Sequence, residues 1–467
     1  MSLLDANAVL AAAEDVFGIS IRAFQVDAIR SICRGNDTFV TIATGGGKSM
    51  CYQAFGTMPF AKILVVSPLI ALMRDQVRRL QEYGIPAVSL SECDSVANAR
   101  VIFASPERAV HLKGIEWTLI AIDEAHCIVE WGADFRPEYQ MLHRLRNDQT
   151  PMLVMTASAT PDMQQTIVTS LCLRDPKYVT GSYARPNLVF STRVKGTLGN
   201  PNAGKYCDVR ALVITPCIVY VTSRREAEDI ADALSDFVSA PYHAGLEAEN
   251  RAEAIDSFIA GAIRVVVATI AFGMGIDKAN VRSVIHYGPS RSLPSYYQEA
   301  GRAGRDGQES ICTLLHAPCD WQRLSHAGAD KQALESVRLY VAQKGCLHSR
   351  LIAQFGENTP PCGKCSNCCA RASRTKKNVA SQAEQKLILD FVCSFAYFGK
   401  SGVADGLKGK NKDKRLQQHP SFGALSALSH AVIVCMLEDM IIDGSLICIP
   451  VRLATGRAYD AIRPNPV

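Results

Sequence analysis

The stretch Phe39-Val40-Thr41-Ile42-Ala43-Thr44-Gly45-Gly46-Gly47-Lys48-Ser49-Met50-Cys51-Tyr52-Gln53 runs from a β-type apolar segment through three glycines and a lysine into helix-forming residues. Glycines let backbone N–H groups converge on phosphate oxygens, and the helix that follows presents its positive end to them. In such a cradle, Thr44, Gly45, Gly46 and Gly47 wrap the phosphates, Lys48 reaches the β and γ groups, and the Ser49 hydroxyl ligates Mg²⁺. The strict pattern places a glycine where Ile42 stands. A glycine turn with an incidental lysine is therefore the competing reading, and the rest of the chain decides between them.

Upstream, residues Ala8 to Ile32 read as two helices broken at Phe17-Gly18. Gln25 in the second is a candidate reader of the N6/N7 edge of adenine, with Arg22 stacking on the ring; an ordinary polar helix face is the alternative. Downstream, strand-like Ile63-Leu64-Val65-Val66, Val101-Ile102-Phe103-Ala104 and Leu119-Ile120-Ala121-Ile122 alternate with helical segments. That is the rhythm of a parallel sheet covered on both faces, with ligand loops at the carboxyl ends of its strands. The third of these strands delivers Asp123-Glu124-Ala125-His126. An acidic pair there suits a nucleotide site, with Asp123 serving Mg²⁺ through water and Glu124 acting as base for the attacking water. In the loop Trp131 to Tyr139, Trp131, Phe135 and Arg136 can stack on or pair with unpaired bases, and packing is the equal alternative for the two rings. Strand-like Met152-Leu153-Val154-Met155 then ends in Thr156-Ala157-Ser158-Ala159-Thr160, whose hydroxyls can relay between nucleotide and nucleic acid.

The pattern pauses around Tyr183-Ala184-Arg185-Pro186-Asn187 and again from Gly196 to Gly204, and a second α/β run follows without a phosphate cradle. It carries Phe272-Gly273-Met274-Gly275 and, in Gln298-Glu299-Ala300-Gly301-Arg302-Ala303-Gly304-Arg305, two arginines three apart. That spacing predicts one helical face reaching a γ-phosphate across a cleft, as arginine fingers supplied in cis. A helical stretch is expected from Trp321 to Gln343. Cys346, Cys362, Cys365 and Cys368 then follow at C-x15-C-x2-C-x2-C spacing, which suits a closed, structural four-thiolate zinc site with Cys369 as rival to Cys368. The last ninety or so residues read as helices from Ala383 to Phe398 and Leu425 to Leu437, a basic turn from Lys408 to Arg415, and a strand at Ser445 to Ile449. This composition suits a small winged-helix DNA reader; the basic run can equally be a solvated loop or a nuclear-import patch.

Composition sets outer bounds. The 467 residues, 48% apolar and 20% charged, suit a globular chain of three or four units, and a net charge of +5 is too mild to imply nucleic acid by itself. Seventeen cysteines, an odd number mostly inside apolar runs, fit a reducing compartment. No secretory or transit signal opens the sequence, and its longest apolar stretches are interrupted, so a soluble intracellular protein with no membrane partner is expected.

Together these segments resemble the RecQ family of superfamily 2 DNA helicases across roughly residues 15 to 370, and more loosely beyond. The resemblance implies two RecA-like parallel-sheet lobes in an α/β fold, followed by a zinc-binding module and a winged-helix-like domain. The boundaries expected are 1–190, 191–325, 326–370 and 371–467. It implies ATP-driven 3′ to 5′ unwinding, with ATP, Mg²⁺ and Zn²⁺ as cofactors. Single-stranded and tailed or branched duplex DNA are the expected partners, acting in repair, recombination or replication wherever the DNA is: nucleus, nucleoid or viral factory. Lys48, Asp123, Glu124, Gln298, Arg302 and Arg305 are its implied catalytic set, Arg22 and Gln25 its adenine contacts, and the Trp131 loop its coupler to DNA. The chain departs from the family at Ala23-Phe24, where Pro-Gly is usual, and in a shortened segment from Leu90 to Val101, and the C-terminal helical nucleic-acid-binding domain that many relatives carry is not expected after the presumed wing. Two other functions are expected to give different results: an ATPase of the same superfamily acting on RNA or duplex, and a zinc-stabilised DNA-binding protein switched by ATP without unwinding.

Overall fold

Short apolar and β-branched runs build the first sheet from β1 (Thr38–Thr41), β2 (Ile63–Val66), β3 (Ala87–Ser89), β4 (Val101–Ala104), β5 (Leu119–Ile122), β6 (Met152–Thr156) and β7 (Lys177–Thr180). All pairs are parallel, in the order β3-β4-β2-β5-β6-β1-β7. Every residue of β1, β2, β4, β5 and β6 is buried. Cover on both faces is why these strands read as unbroken apolar runs, without polar alternation. The helices α1 (Ala6–Phe17), α2 (Ala23–Cys33), α3 (Met50–Gly56) and α4 (Ile70–Glu82) pack on one face through Val9, Ile29, Tyr52, Phe55 and Met73.

The computed structural model describes residues 5–68, 70–93, 95–112, 114–130, 137–198, 205–269, 278–375, 381–395, 398–442, 445–452 and 458–464. Trp131, Phe135, Arg136 and Phe272-Gly273-Met274-Gly275 lie outside the described residues. The second sheet comprises β8 (Leu188–Val194), β9 (Cys217–Tyr220), β10 (Ser239–Tyr242), β11 (Val265–Ala268), β12 (Ser283–Tyr287) and β13 (Ser310–His316). It is also wholly parallel, ordered β10-β11-β9-β12-β13-β8. The strand β8 lies between the two places where the sequence pattern pauses, and residues 181–187 are the short link from the first sheet to the second.

Compact packing divides the chain into Met1–Gln343 with Leu347–Cys362, which holds both sheets, and Lys344–Cys346 with Gly363–Val467. In the first unit, the single helix expected from Trp321 to Gln343 is two, Pro318–His326 and Lys331–Ala342. Gly328 at φ 76° follows the end of the first of these helices, and the Asp330 carboxylate caps the start of the second by accepting from the Ala333 N–H at 2.7 Å. In the second unit, helices Gln382–Ser394, Lys400–Leu407 and His430–Ile442 pack Phe391, Leu407, Ile433 and Leu437 against Leu446 of β14 (Leu446–Arg452) and Ile462 of β15 (Ala458–Pro464). The two strands are antiparallel, so helices and one hairpin make up this unit. The helix expected from Leu425 starts instead at His430, because Ser429 caps it through the Val432 N–H at 3.2 Å. The expected helix to Phe398 ends at Ser394. Among the described residues, no helix is long and apolar enough to cross a membrane.

Candidate functional site

Because β6 lies between β5 and β1, the loops at the carboxyl ends of these three strands converge. The phosphate loop after β1 takes positive φ at Gly45 (77°) and Gly47 (88°), conformations that side chains resist. Ile42 accounts for the middle glycine: a Cβ on Gly46 would lie 2.9 Å from Ile42 Cγ1 and 2.9 Å from the Ala43 carbonyl. The departure from the strict pattern is thus absorbed by packing, and the loop keeps its turn. Lys48 Nζ donates to the Ile42 carbonyl at 3.4 Å. Arg22 Nη1 donates to the Gly46 carbonyl and Gln25 Nε2 to the Gly47 carbonyl, each at 2.8 Å. Gln25 Oε1 accepts from the Arg22 N–H at 2.8 Å. Pairing with adenine needs both ends of that amide, and here one end braces the phosphate loop while the other holds the Arg22 N–H at the start of its own helix.

At the end of β5, burial, followed by the charge of Glu124, pushes the Asp123 carboxyl up to about 7, while Lys48 opposes the rise. Glu124 itself has φ 50°, a left-handed conformation that non-glycine residues adopt at a cost and that clusters at functional sites. Its Oε2 lies 3.3 Å from His126 Nδ1, which is also 3.2 Å from Thr156 Oγ1. The other ring nitrogen of His126 is 3.4 Å from Gln298 Nε2. A Gln298 amide that donates to His126 Nε2 would leave the ring proton on Nδ1, on the side of Thr156 and Glu124. One buried imidazole thereby links the acidic loop of the first sheet to the second.

The second lobe closes the site differently from expectation. The helix Leu293–Ala300 ends before either arginine, and Arg302 and Arg305 lie in the turns after it, not on one helical face. Glycines at 301 and 304 end the helix and set the turn, with Gly304 at φ 53°. The turn still delivers both arginines: a Cβ on Gly45 would be 3.6 Å from Arg305 Cγ, and Arg302 is buried. The open cleft of about 650 Å³ is lined in part by Lys48, Asp123, Glu124, Gln298, Arg302 and Arg305, a size that suits a nucleotide. Among the described residues, Thr44 Oγ1 and Arg302 Nε are buried there without a hydrogen-bond partner. A divalent cation fits the same place, since it would relieve the mutual repulsion of Asp123 and Glu124 beside the Ser49 hydroxyl.

The sulfurs of Cys346, Cys362, Cys365 and Cys368 lie within 4.8 Å of one another. A tetrahedral zinc with Zn–S bonds of about 2.3 Å separates its sulfurs by about 3.8 Å, so small movements close the shell. The Cys368 N–H points at Cys365 Sγ at 3.4 Å, orienting a ligand. Cys369, the expected rival, is exposed and its thiol donates to the Lys364 carbonyl at 3.4 Å.

Three family models match in chain order: DEAD/DEAH box helicase at residues 22–167, helicase conserved C-terminal domain at 205–307, and RecQ zinc-binding at 322–369. The chain is 35% identical over 463 residues to the ATP-dependent DNA helicase RecQ of Bacillus subtilis, covering 90% of this chain and 77% of that protein. The chain belongs to the RecQ helicase family. It is also 35% identical over 456 residues to the ATP-dependent helicase wrn-1 of Caenorhabditis elegans, covering 86% of this chain but only 43% of that longer protein. Among solved structures, Saccharomyces cerevisiae Dbp5 bound to RNA and ADP BeF3 superposes with a TM-score of 0.55 over 68% of this chain and 90% of that one. At 17% identity, that likeness is one of fold.

Several residues around this RecQ-type cleft carry no sequence signal. His286, Ser290 and Glu299 form a buried cluster in which Glu299 Oε2 accepts from Ser290 Oγ at 2.7 Å and lies 2.8 Å from His286 Nε2. It ties the helix that precedes Arg302 to β12. Arg185 and Glu357 are likewise unmarked, since their partners are backbone groups or residues distant in the chain.

Proposed function

We propose that this RecQ-family chain couples ATP hydrolysis to 3′ to 5′ separation of DNA strands by opening and closing the cleft between its two lobes. The approach of Arg305 to Gly45, opposite the Asp123–Glu124 pair, carries this reading. Residues 1–190 act as the ATP-binding lobe, 191–325 as its partner lobe, 326–370 as the zinc module and 371–467 as a DNA-contacting unit.

Lys48 and the backbone of Gly45 to Ser49 hold the phosphates of ATP, and Ser49 with Asp123 holds Mg²⁺. Bound Mg²⁺ neutralises charge that develops on the transferring phosphoryl group. Glu124 takes the proton of the attacking water, and His126 fixes the Glu124 carboxylate while reporting through Gln298 to the other lobe. Arg302 and Arg305 stabilise the transition-state charge from that lobe. Arg22 and Gln25 are proposed to release the Gly46 and Gly47 carbonyls when adenine takes up their hydrogen bonds. Zinc in the Cys346, Cys362, Cys365 and Cys368 shell has no open position, so its role is structural. Exposed Lys410, Lys412 and Lys414 offer phosphate contacts in the last unit. The protein works inside the cell, on single-stranded and tailed or branched duplex DNA.

Trp131, Phe135 and Arg136 are proposed to couple DNA contact to hydrolysis. Single-stranded DNA should stimulate ATPase activity strongly and RNA weakly. The double variant Trp131→Ala/Phe135→Ala should keep basal turnover and lose that stimulation, since stacking contributes about 1–3 kcal/mol per base. Stimulation by DNA that survives in a destabilised double variant would make the two rings packing residues, and stronger stimulation by RNA would favour the RNA-directed reading.

A further inference from the structure

Residues 181–187 join the edge strand of the first sheet, β7, to that of the second, β8. Arg185 in this link reaches across the cleft with both guanidinium ends. Its Nη1 donates to the Thr44 carbonyl of the phosphate loop at 3.1 Å and to the Gly301 carbonyl at 3.2 Å. Its Nη2 donates to the carbonyls of Ala303 at 2.9 Å and Gly304 at 2.8 Å. One acceptor therefore lies on the loop that holds the phosphates, and three lie on the turn that carries Arg302 and Arg305.

The link is itself held. Glu357 accepts from Ser182 Oγ at 2.7 Å and from the Tyr183 N–H at 2.6 Å. The Tyr183 carbonyl accepts from Tyr297 Oη at 2.7 Å, and the Tyr183 ring stacks on Phe355 with centroids 4.5 Å apart. Asn187 Nδ2 adds a further bond to the Gly304 carbonyl at 2.8 Å, and a Cβ on Gly304 would lie 2.5 Å from that nitrogen. A side chain at position 304 would therefore collide with the link.

We propose that Arg185 is a positioning residue that sets the arginine turn 301–305 in register with the phosphate loop, and that Glu357 fixes the segment presenting it. A group bonded to both sides of a cleft must break bonds on one side when the lobes part, so Arg185 favours the closed register in which Arg302 and Arg305 face the phosphates. Arginine suits this task because its planar fork spans several acceptors at once, whereas a lysine ammonium is a single point charge on a flexible stem. The inference rests on the catalytic reading of Lys48, Arg302 and Arg305 given above.

The test uses the full chain with saturating single-stranded DNA. It measures kcat and KM for ATP, together with the affinity for a fluorescent ADP analogue. For Arg185→Gln, kcat should fall by up to about 10²-fold, the cost of a misplacement near 1 Å, while ADP affinity is retained. Arg185→Lys should not restore kcat, and Glu357→Gln should lower it in the same direction by less. In an Arg305→Ala background, Arg185→Gln should add little, because it acts through the residue already removed. Normal turnover by Arg185→Gln, or a defect fully additive with Arg305→Ala, overturns the proposal. If Arg185→Gln does not fold, wild-type kcat in both Arg185→Lys and Glu357→Gln overturns it as well. Lys48→Ala separates the two levels: if it hydrolyses ATP normally, the catalytic reading fails, whereas an inactive Lys48→Ala beside a normal Arg185→Gln removes only the role of the link.

Discussion

Lys48→Ala abolishes ATP hydrolysis and leaves binding to tailed DNA intact. The Lys48 ammonium is the cation on the phosphate loop itself, and its charge already counters the burial and repulsion that raise the Asp123 carboxyl. Without it, the cleft loses a phosphate contact and the acidic pair loses its opposing charge together. Losing one such preorganised electrostatic contact lowers kcat by about 10²–10³-fold, and the second effect adds to it. The proposed DNA contacts lie on other segments, the Trp131 loop and the basic turn, so fluorescence anisotropy with labelled tailed DNA should match the unmodified chain. Phosphate release at the wild-type rate would make the glycine turn incidental.

Glu124→Gln binds ATP and turns it over about 10²–10⁴-fold more slowly, the span expected when a general base is lost. The substitution keeps the shape of the side chain, the N–H that Glu124 donates to Asp123 Oδ1 at 3.0 Å, and Asp123 itself as magnesium ligand. What it removes is a carboxylate held beside His126 Nδ1. Single-turnover quenched-flow separates the steps: the bound analogue should be retained while the chemical step slows. Loss of nucleotide binding would instead assign Glu124 to maintaining the loop, whose left-handed residue it is.

The parallel strands were readable because burial on both faces leaves apolar runs such as Ile63-Leu64-Val65-Val66 that nothing else explains. The cradle and the acidic pair were readable because phosphate chemistry fixes residue types at short range in sequence. Arg302 and Arg305 were readable as a pair and misread as helical, because periodicity cannot register that Gly301 and Gly304 turn the chain first. The bracing of the phosphate loop by Arg22 and Gln25 was out of reach for another reason: a polar side chain shows its donors in the sequence but not its acceptors, and these are backbone carbonyls. Arg185 is the extreme case. Its four acceptors are all carbonyls, one of them 141 residues before it and the others more than 115 residues after it, so no spacing marks it.

Strand displacement with both tail polarities tests coupled unwinding most directly. A labelled strand is annealed to partners bearing either a 3′ or a 5′ single-stranded tail and incubated with the chain, ATP and Mg²⁺, with Lys48→Ala as control. Coupled 3′ to 5′ unwinding predicts release from the 3′-tailed duplex, little from the 5′-tailed one, and none with Lys48→Ala. ATP hydrolysis stimulated by DNA without release of either strand would contradict it and leave an ATP-switched DNA-binding protein in its place.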